Sequence, residues 1–116
     1  MAINLDAALG VHANTLDFRV ERSRVLSGNL ANAETPGYKA RDLDFAQLMD
    51  RLDPAAGVTR DYQMAYRNPH QPSADGNTVE LGQEQARYSQ NAMDFETSLT
   101  FLNMNIQGLQ KAIEGR

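Results

Sequence analysis

A mainly α-helical chain is predicted: long N- and C-terminal helices packing as a coiled-coil-like hairpin, with an extended, irregular middle segment between them. Three features of the sequence predict it. Tyr88, Ala92, Phe95, Leu99, Leu102, Ile106, Leu109 and Ile113 follow steps of four and three without exception, the 3.5-residue repeat of a coiled-coil seam. A looser apolar stripe of Leu5, Leu9, Ala13, Leu16, Val20, Ser27 and Leu30 runs through the N-terminal segment. Between the two, Pro54, Gly57, Pro69, Pro72 and Gly76 interrupt any period, because these residues punctuate regular structure.

In chain order, residues 1–34 read as the first helix. Asp6, Asp17, Arg19, Glu21, Arg22 and Arg24 lie mainly off its stripe, which makes it amphipathic, thinning toward its C-terminal half. Asn4 or Asp6 can cap its start. Thr35-Pro36 ends it, because the residue before proline is pushed out of the helical region. Residues 35–79 hold a loop, a short helix in "LDFAQLMDRL" carrying Phe45, Leu48, Met49 and Leu52, and an extended stretch. A tight turn is expected there at Asp75-Gly76 or Gly76-Asn77. Residues 80–116 form the C-terminal coiled-coil helix, starting near Gly82 or Gln83 and running to about Glu114. Gly108 weakens it by about 1 kcal/mol relative to Ala unless a neighbour packs closely there.

Composition narrows the function. The chain has 116 residues, 7% aromatic and without Trp, which is lean for an independent core. It is either a small soluble helical hairpin or one protomer whose seams take further neighbours. A net charge of −4 argues against a sequence-independent grip on nucleic acid. Cysteine is absent, which excludes disulfides and thiolate chemistry. "MAINLDAALG" has no basic region and no long apolar run, so neither a secretory signal nor a membrane span is expected. Nine Asn and eight Gln suit either polar contacts between subunits that avoid desolvating charge or plain surface polarity.

No catalytic, cofactor-binding or metal-binding residues are expected, and the chain does not read as an enzyme. His12 and His70 stand alone, without the paired spacing of a metal site. Asp42-x-Asp44 lacks the glycine and terminal glutamate of a calcium loop. "SADGN" lacks the Lys-Ser/Thr of a phosphate loop.

The most particular stretch is "SGNLANAETPGYKARDLDF", Ser27 to Phe45. Pro36-Gly37 suits a type II turn, with proline setting the first central residue and glycine supplying a positive φ at the second. Lys39 and Arg41 are expected near the last carbonyls of the first helix, where cations are favoured. Tyr38 and Phe45 offer apolar anchors.

"NLANAETPGYKARDLDF" closely resembles the signature of bacterial flagellar basal-body rod proteins, an Asn-x-Ala-Asn, Thr-Pro-Gly-Tyr pattern after the N-terminal helix. Its "YKARDLDF" continuation is more similar to the FlgB type, of the proximal rod, than to the FlgC type. "YRNPHQPSADGNTVEL", Tyr66 to Leu81, resembles the segment by which FlgB-type proteins enter their C-terminal helix. The resemblance runs through essentially the whole chain in order. Gly82 stands where members commonly have Asp, and the middle is shorter than in many members.

The resemblance implies a structural rod subunit that leaves the cytoplasm unfolded through the flagellar type III export apparatus and assembles in the periplasm. Its terminal helices are then inner-core elements around the export channel. Leu9, Leu16, Val20 and Leu30, with the eight residues of the C-terminal repeat, form the assembly seam. Asn29, Asn32, Thr35, Pro36, Gly37 and Tyr38 shape a docking loop, and Asp75, Gly76 and Asn77 set the turn into the second helix. Implied partners are copies of itself, FlgC-type rod proteins, the rod-base adaptor FliE and the membrane-embedded MS ring. A second reading of the same seam is a cytoplasmic helical adaptor or export chaperone that binds its client through the C-terminal helix.

Overall fold

A computed structural model describes residues 5–52 and 62–115. Its elements are α1 (Leu5–Ala31), β1 (Arg41–Leu43), α2 (Phe45–Asp50), β2 (Met64–Tyr66) and α3 (Leu81–Glu114). The 27-residue α1 and 34-residue α3 lie antiparallel, with Asn29 beside Glu84 at one end and His12 beside Asn105 toward the other. The chain is mainly α and elongated, 64 × 24 × 19 Å. Its radius of gyration of 18.0 Å exceeds the roughly 13 Å of a compact domain of this length. The long axis is set by α3, about 51 Å at 1.5 Å per residue.

α1 stops at Ala31, before the proline is reached. The Asn32 backbone N–H and its side-chain Nδ2 both turn back to the Gly28 carbonyl, at 3.1 and 2.8 Å. Polar side chains that bond local backbone in this way compete with helix continuation. Asp6 lies inside the helix and not at a cap, while Asn4 is outside the described residues. At the other helix, Glu80 is the N-cap of α3 and Gly82 falls within its first turn. Gly115, at φ 70°, ends α3 and donates its N–H to Lys111 O.

The buried face of α1 is not the apolar stripe of the sequence. Gly10, Asn14, Phe18, Leu26 and Asn29 are buried, whereas Val20 and Ser27 are exposed and Leu9, Leu16 and Leu30 are half-buried. Two of those five buried residues are amides, which hydropathy reads as solvent-facing.

The middle segment carries a two-stranded sheet that periodicity does not reveal. β1 and β2 pair antiparallel, with Arg41 opposite Tyr66, Asp42 opposite Ala65 and Leu43 opposite Met64. Three residues are too few to display an alternating pattern. Asp44 caps α2 by accepting the Ala46 N–H at 2.9 Å. That cap turns Leu48 inward, while Met49 stays exposed.

The apolar core lies between α1 and this small unit. Phe18, Leu43 and Leu48 are buried, and Val25, Phe45, Leu52 and Tyr62 pack against them. Phe18 meets the Phe45 ring at 5.3 Å and the edge of Tyr62 at 5.8 Å. Arg19 lies 4.6 Å over the Phe45 ring, a cation on a π face.

Because so small a core hangs on one ring, Phe18→Ala is expected to cost about 3 to 5 kcal/mol. Urea unfolding followed by circular dichroism checks it. A midpoint shift equivalent to less than about 1 kcal/mol would mean that the three aromatic rings do not form a common core.

Candidate assembly site

At the closed end of the hairpin, β1, α3 and Tyr38 converge on the Asn29 side chain of α1, which is completely buried. Its Oδ1 accepts the Arg41 backbone N–H at 3.0 Å and the Tyr38 hydroxyl at 3.3 Å. Its Nδ2 donates to the Arg41 carbonyl at 2.7 Å and to Glu84 Oε2 at 3.1 Å. An asparagine side chain offers two donor hydrogens and two acceptor lone pairs, and all four are used. Toward Arg41 the amide behaves as a substitute strand, since it takes both the N–H and the C=O on the edge of β1 away from β2.

A charge network continues from this point. Arg22 binds Asp42 bidentately, Nε to Oδ1 at 2.8 Å and NH2 to Oδ2 at 3.1 Å. Arg67 bridges the two carboxylates, giving NH1 to Glu84 Oε1 and NH2 to Asp42 Oδ2, the oxygen that Arg22 NH2 also reaches. Burial acts to raise the Asp42 pKa, but the hydrogen bonds and charge of Arg22, the Leu43 N–H and Arg67 outweigh it, so the pKa is lowered. The Arg22 pKa is raised, chiefly by its hydrogen bond to Asp42. Burial lowers that of Arg67. Four charged groups, from α1, β1, α3 and the residue that follows β2, hold the sheet against both helices.

The loop after α1 is shaped by its own turn and by a second buried amide. Thr35 to Tyr38 closes with the Tyr38 N–H on Thr35 O at 3.2 Å, and Gly37 has φ 74°, a conformation that side chains with a Cβ rarely adopt. Asn77, 5% exposed, directs its Nδ2 at the carbonyls of Asn32, Ala33 and Thr35, at 3.0 Å or less. Its Oδ1 accepts the Val79 N–H at 2.7 Å, and its own N–H donates to Asp75 Oδ1. Gly76, at φ 76°, follows a turn closed onto Ser73 O. The 35–38 loop and the 75–77 turn are thus brought together, although they are far apart in sequence. Lys39 and Arg41 do not reach the α1 carbonyls. Lys39 Nζ donates to Gly76 O at 2.9 Å, and Arg41 stands over the Tyr38 ring. Amides have taken the acceptors that these cations were expected to serve.

Along the hairpin, the contact between α1 and α3 leans on a polar line one residue ahead of the seam. Glu84 and Asn91 are buried. Asn91 Nδ2 donates to Arg19 O at 2.7 Å and Ser23 Oγ at 2.9 Å, and Asn105 meets His12 at 2.6 Å. Of the seam itself, Phe95, Leu99, Leu102 and Leu109 are half-buried, while Tyr88, Ala92, Ile106 and Ile113 are exposed. The open flank forms two recesses between the helices. One is about 430 Å³, walled by Leu5, Leu9, Ile106, Leu109 and Ile113. The other is about 300 Å³, walled by Val20, Ser23, Ala92, Phe95 and Glu96. Among the described residues no group of His, Asp or Glu is arranged to hold a metal, and no helix is long and apolar enough to cross a membrane.

No protein-family model matches the chain. The flagellar basal body rod protein FlgB of Aeromonas hydrophila is 42% identical to it, over 99% of this chain and 98% of that protein. FlgB of Escherichia coli K12 is 34% identical, over 98% of each chain, and FlgB of Salmonella typhimurium LT2 is 33% identical, over 99% of each. The chain belongs to the flagellar basal body rod protein FlgB family. Its alignment with the Aeromonas FlgB runs over 130 positions against 116 residues here, so that FlgB carries residues this chain lacks.

For this FlgB-family chain, the residues that sequence reasoning left out are Arg22, Asp42, Arg67, Glu84 and Asn91. The only available signal was the shared heptad phase of Glu84, Asn91 and Asn105, seven and then fourteen residues apart, beside the seam. On a hydropathy scale that line is indistinguishable from a solvated face.

Two outcomes are expected. Asn29→Ala leaves the outer edge of Arg41 and one Glu84 oxygen without their partner, at about 1 to 3 kcal/mol for each buried group orphaned. Amide exchange at Arg41 should accelerate by at least tenfold while the far end of α3 is unaffected. The second outcome concerns acid. The folded-state pKa of Asp42 lies below its ordinary 3.8, so its stabilising contribution is fully present above that value and is lost as pH falls through the folded pKa. Acid titration should detach the sheet below about pH 4, and Asp42→Asn should flatten that part of the titration.

Proposed function

We propose that the chain is a structural subunit of the flagellar basal-body rod whose terminal helices join those of its neighbours as the inner wall of the shaft around the export channel. Membership of the FlgB family supports the rod role. The observation that carries the assembly role is the apolar flank left open along the hairpin, where Tyr88, Ala92, Ile106 and Ile113 on α3 line up with Val20 on α1. Contiguous exposed apolar surface of this kind marks an interaction site. In this reading residues 1–34 and 80–116 supply the tube, and residues 35–79 fix the angle between them and dock on the next subunit. The partners are further copies, FlgC-type rod proteins, FliE and the MS ring, reached in the periplasm after transit through the type III apparatus. The reading assigns the chain no catalysis.

An adaptor or export chaperone needs a single client face. α3 exposes a second set of apolar side chains, Met93, Phe101 and Met104, about half a turn from the seam at 3.6 residues per turn. Apolar surface on both sides of one helix fits a subunit enclosed by several neighbours.

Ile106→Asp tests the reading at a position that is 44% exposed in the single chain, so the free fold tolerates it. In an assembled wall the carboxylate would be buried unpaired, at a cost of about 3 to 5 kcal/mol. The variant should be made and exported but stay out of the rod, leaving cells non-motile, whereas Gln107→Asp beside it should behave as wild type. Fractionation into cytoplasm, periplasm and basal bodies decides. Equal incorporation of the two variants would sink the buried inter-subunit seam.

A further inference from the structure

The two edges of the β1–β2 sheet differ in kind. The Arg67 N–H donates to Ala40 O at 2.9 Å, and the register places Asp42 opposite Ala65. Antiparallel ladders alternate bonded and non-bonded pairs, so the N–H and C=O of Arg41 and of Tyr66 point out of the sheet on opposite sides. On the β1 side Asn29 accepts that N–H and donates to that C=O. The matching groups of Tyr66, and of Met64 two residues before it, point out on the β2 side and have no hydrogen-bond partner among the described residues. Tyr66 and Met64 are 72% and 54% exposed. An open edge flanked by exposed Tyr and Met is a template for another strand.

The edge also leads into a recess. Tyr66, Arg67, Asn68, Pro69 and Lys39 are among the walls of a hollow of about 480 Å³. Lys39 is exposed there, and its ammonium bonds only the neutral Gly76 carbonyl. Of the neighbouring cations, Arg22 and Arg67 are already neutralised by Asp42 and Glu84, and Arg41 stands over the Tyr38 ring and is not among the walls of the hollow. Lys39 is therefore the charge left to meet an incoming group.

We infer that the outer edge of β2 receives an extended segment of a different rod component as a third strand, with an aspartate or glutamate of that segment placed beside Lys39. A second copy of this chain is a poorer donor. Among its described residues the backbone at Tyr38, Ala40 and Thr78 is already bonded within the chain. The inference rests on the rod reading above, and it concerns a surface that the helical seam does not use.

Tyr66→Pro removes the outward N–H while leaving the ladder to β1 intact, because the Arg41–Tyr66 pair is non-bonded. Tyr66→Thr removes the ring but keeps the N–H. In isolated basal bodies Tyr66→Pro should be incorporated at least tenfold less than Tyr66→Thr, with slow exchange of the Arg67 amide in both confirming an intact sheet. Equal incorporation of the two overturns the inference. Lys39→Glu should lower incorporation and Lys39→Arg should not; a harmless Lys39→Glu removes the acidic partner. Independently of any folding defect, p-benzoylphenylalanine introduced at Met64 should crosslink in basal bodies to an acid-bearing extended peptide of another rod component. A crosslink to this chain, to a helix, or to nothing overturns the inference. Absence of the wild-type chain from basal bodies would overturn the rod reading itself.

Discussion

Asn29 spends every hydrogen bond its side chain can make, and the joint between sheet and hairpin depends on it. Strand β1 has a neighbour on one side only, so its outer N–H and C=O would otherwise be buried against α1 without partners. An amide satisfies both at once, because donor and acceptor sit on the same planar group. Aspartate could accept but not donate, and would bring a second negative charge to the buried Glu84. Leucine would leave every one of the four partners orphaned, and a buried polar group without a partner costs more than a bond returns.

The charges around Asn29 obey the same accounting. Burying Asp42, Arg67 and Glu84 costs desolvation that attraction repays only when geometry is good and the remaining sites are filled. Both conditions hold: Asp42 is bound bidentately by Arg22, bridged by Arg67 and bonded by the Leu43 N–H. One consequence is specificity. Apolar contacts along two helices can slide by a turn at modest cost, but Asn29 to Glu84 and Asn91 to Arg19 and Ser23 fix one register and one rotation of α3.

That choice of contacts leaves the apolar surface available. Since the polar line ahead of the seam turns toward α1, the seam is rotated partly outward, and among the described residues the compact apolar core forms around Phe18. A soluble monomer would be better served by the opposite arrangement, with the seam inside and the amides out. For a subunit of a tube, polar contacts set the protomer's shape while apolar ones remain for its neighbours. The sheet follows the same division, with its inner edge sealed by an amide and its outer edge without a partner among the described residues.

How much of this was legible depends on the range of each interaction. The long terminal helices and the broken middle are written in local patterns: a 3.5-residue repeat, and proline and glycine at intervals that no helix accommodates. Pro36-Gly37 dictates a turn with a positive φ for the same local reason. The family, too, can be recognised from contiguous strings. The buried face of α1 could not be read, because Asn14 and Asn29 count as polar until their partners are known, and Glu84 lies 55 residues from Asn29. Neither could the strands, each three residues long and defined only by the other. Periodicity reports which residues are able to be buried. Which flank of α3 turns inward was decided by side-chain hydrogen bonds whose partners only the folded chain brings together.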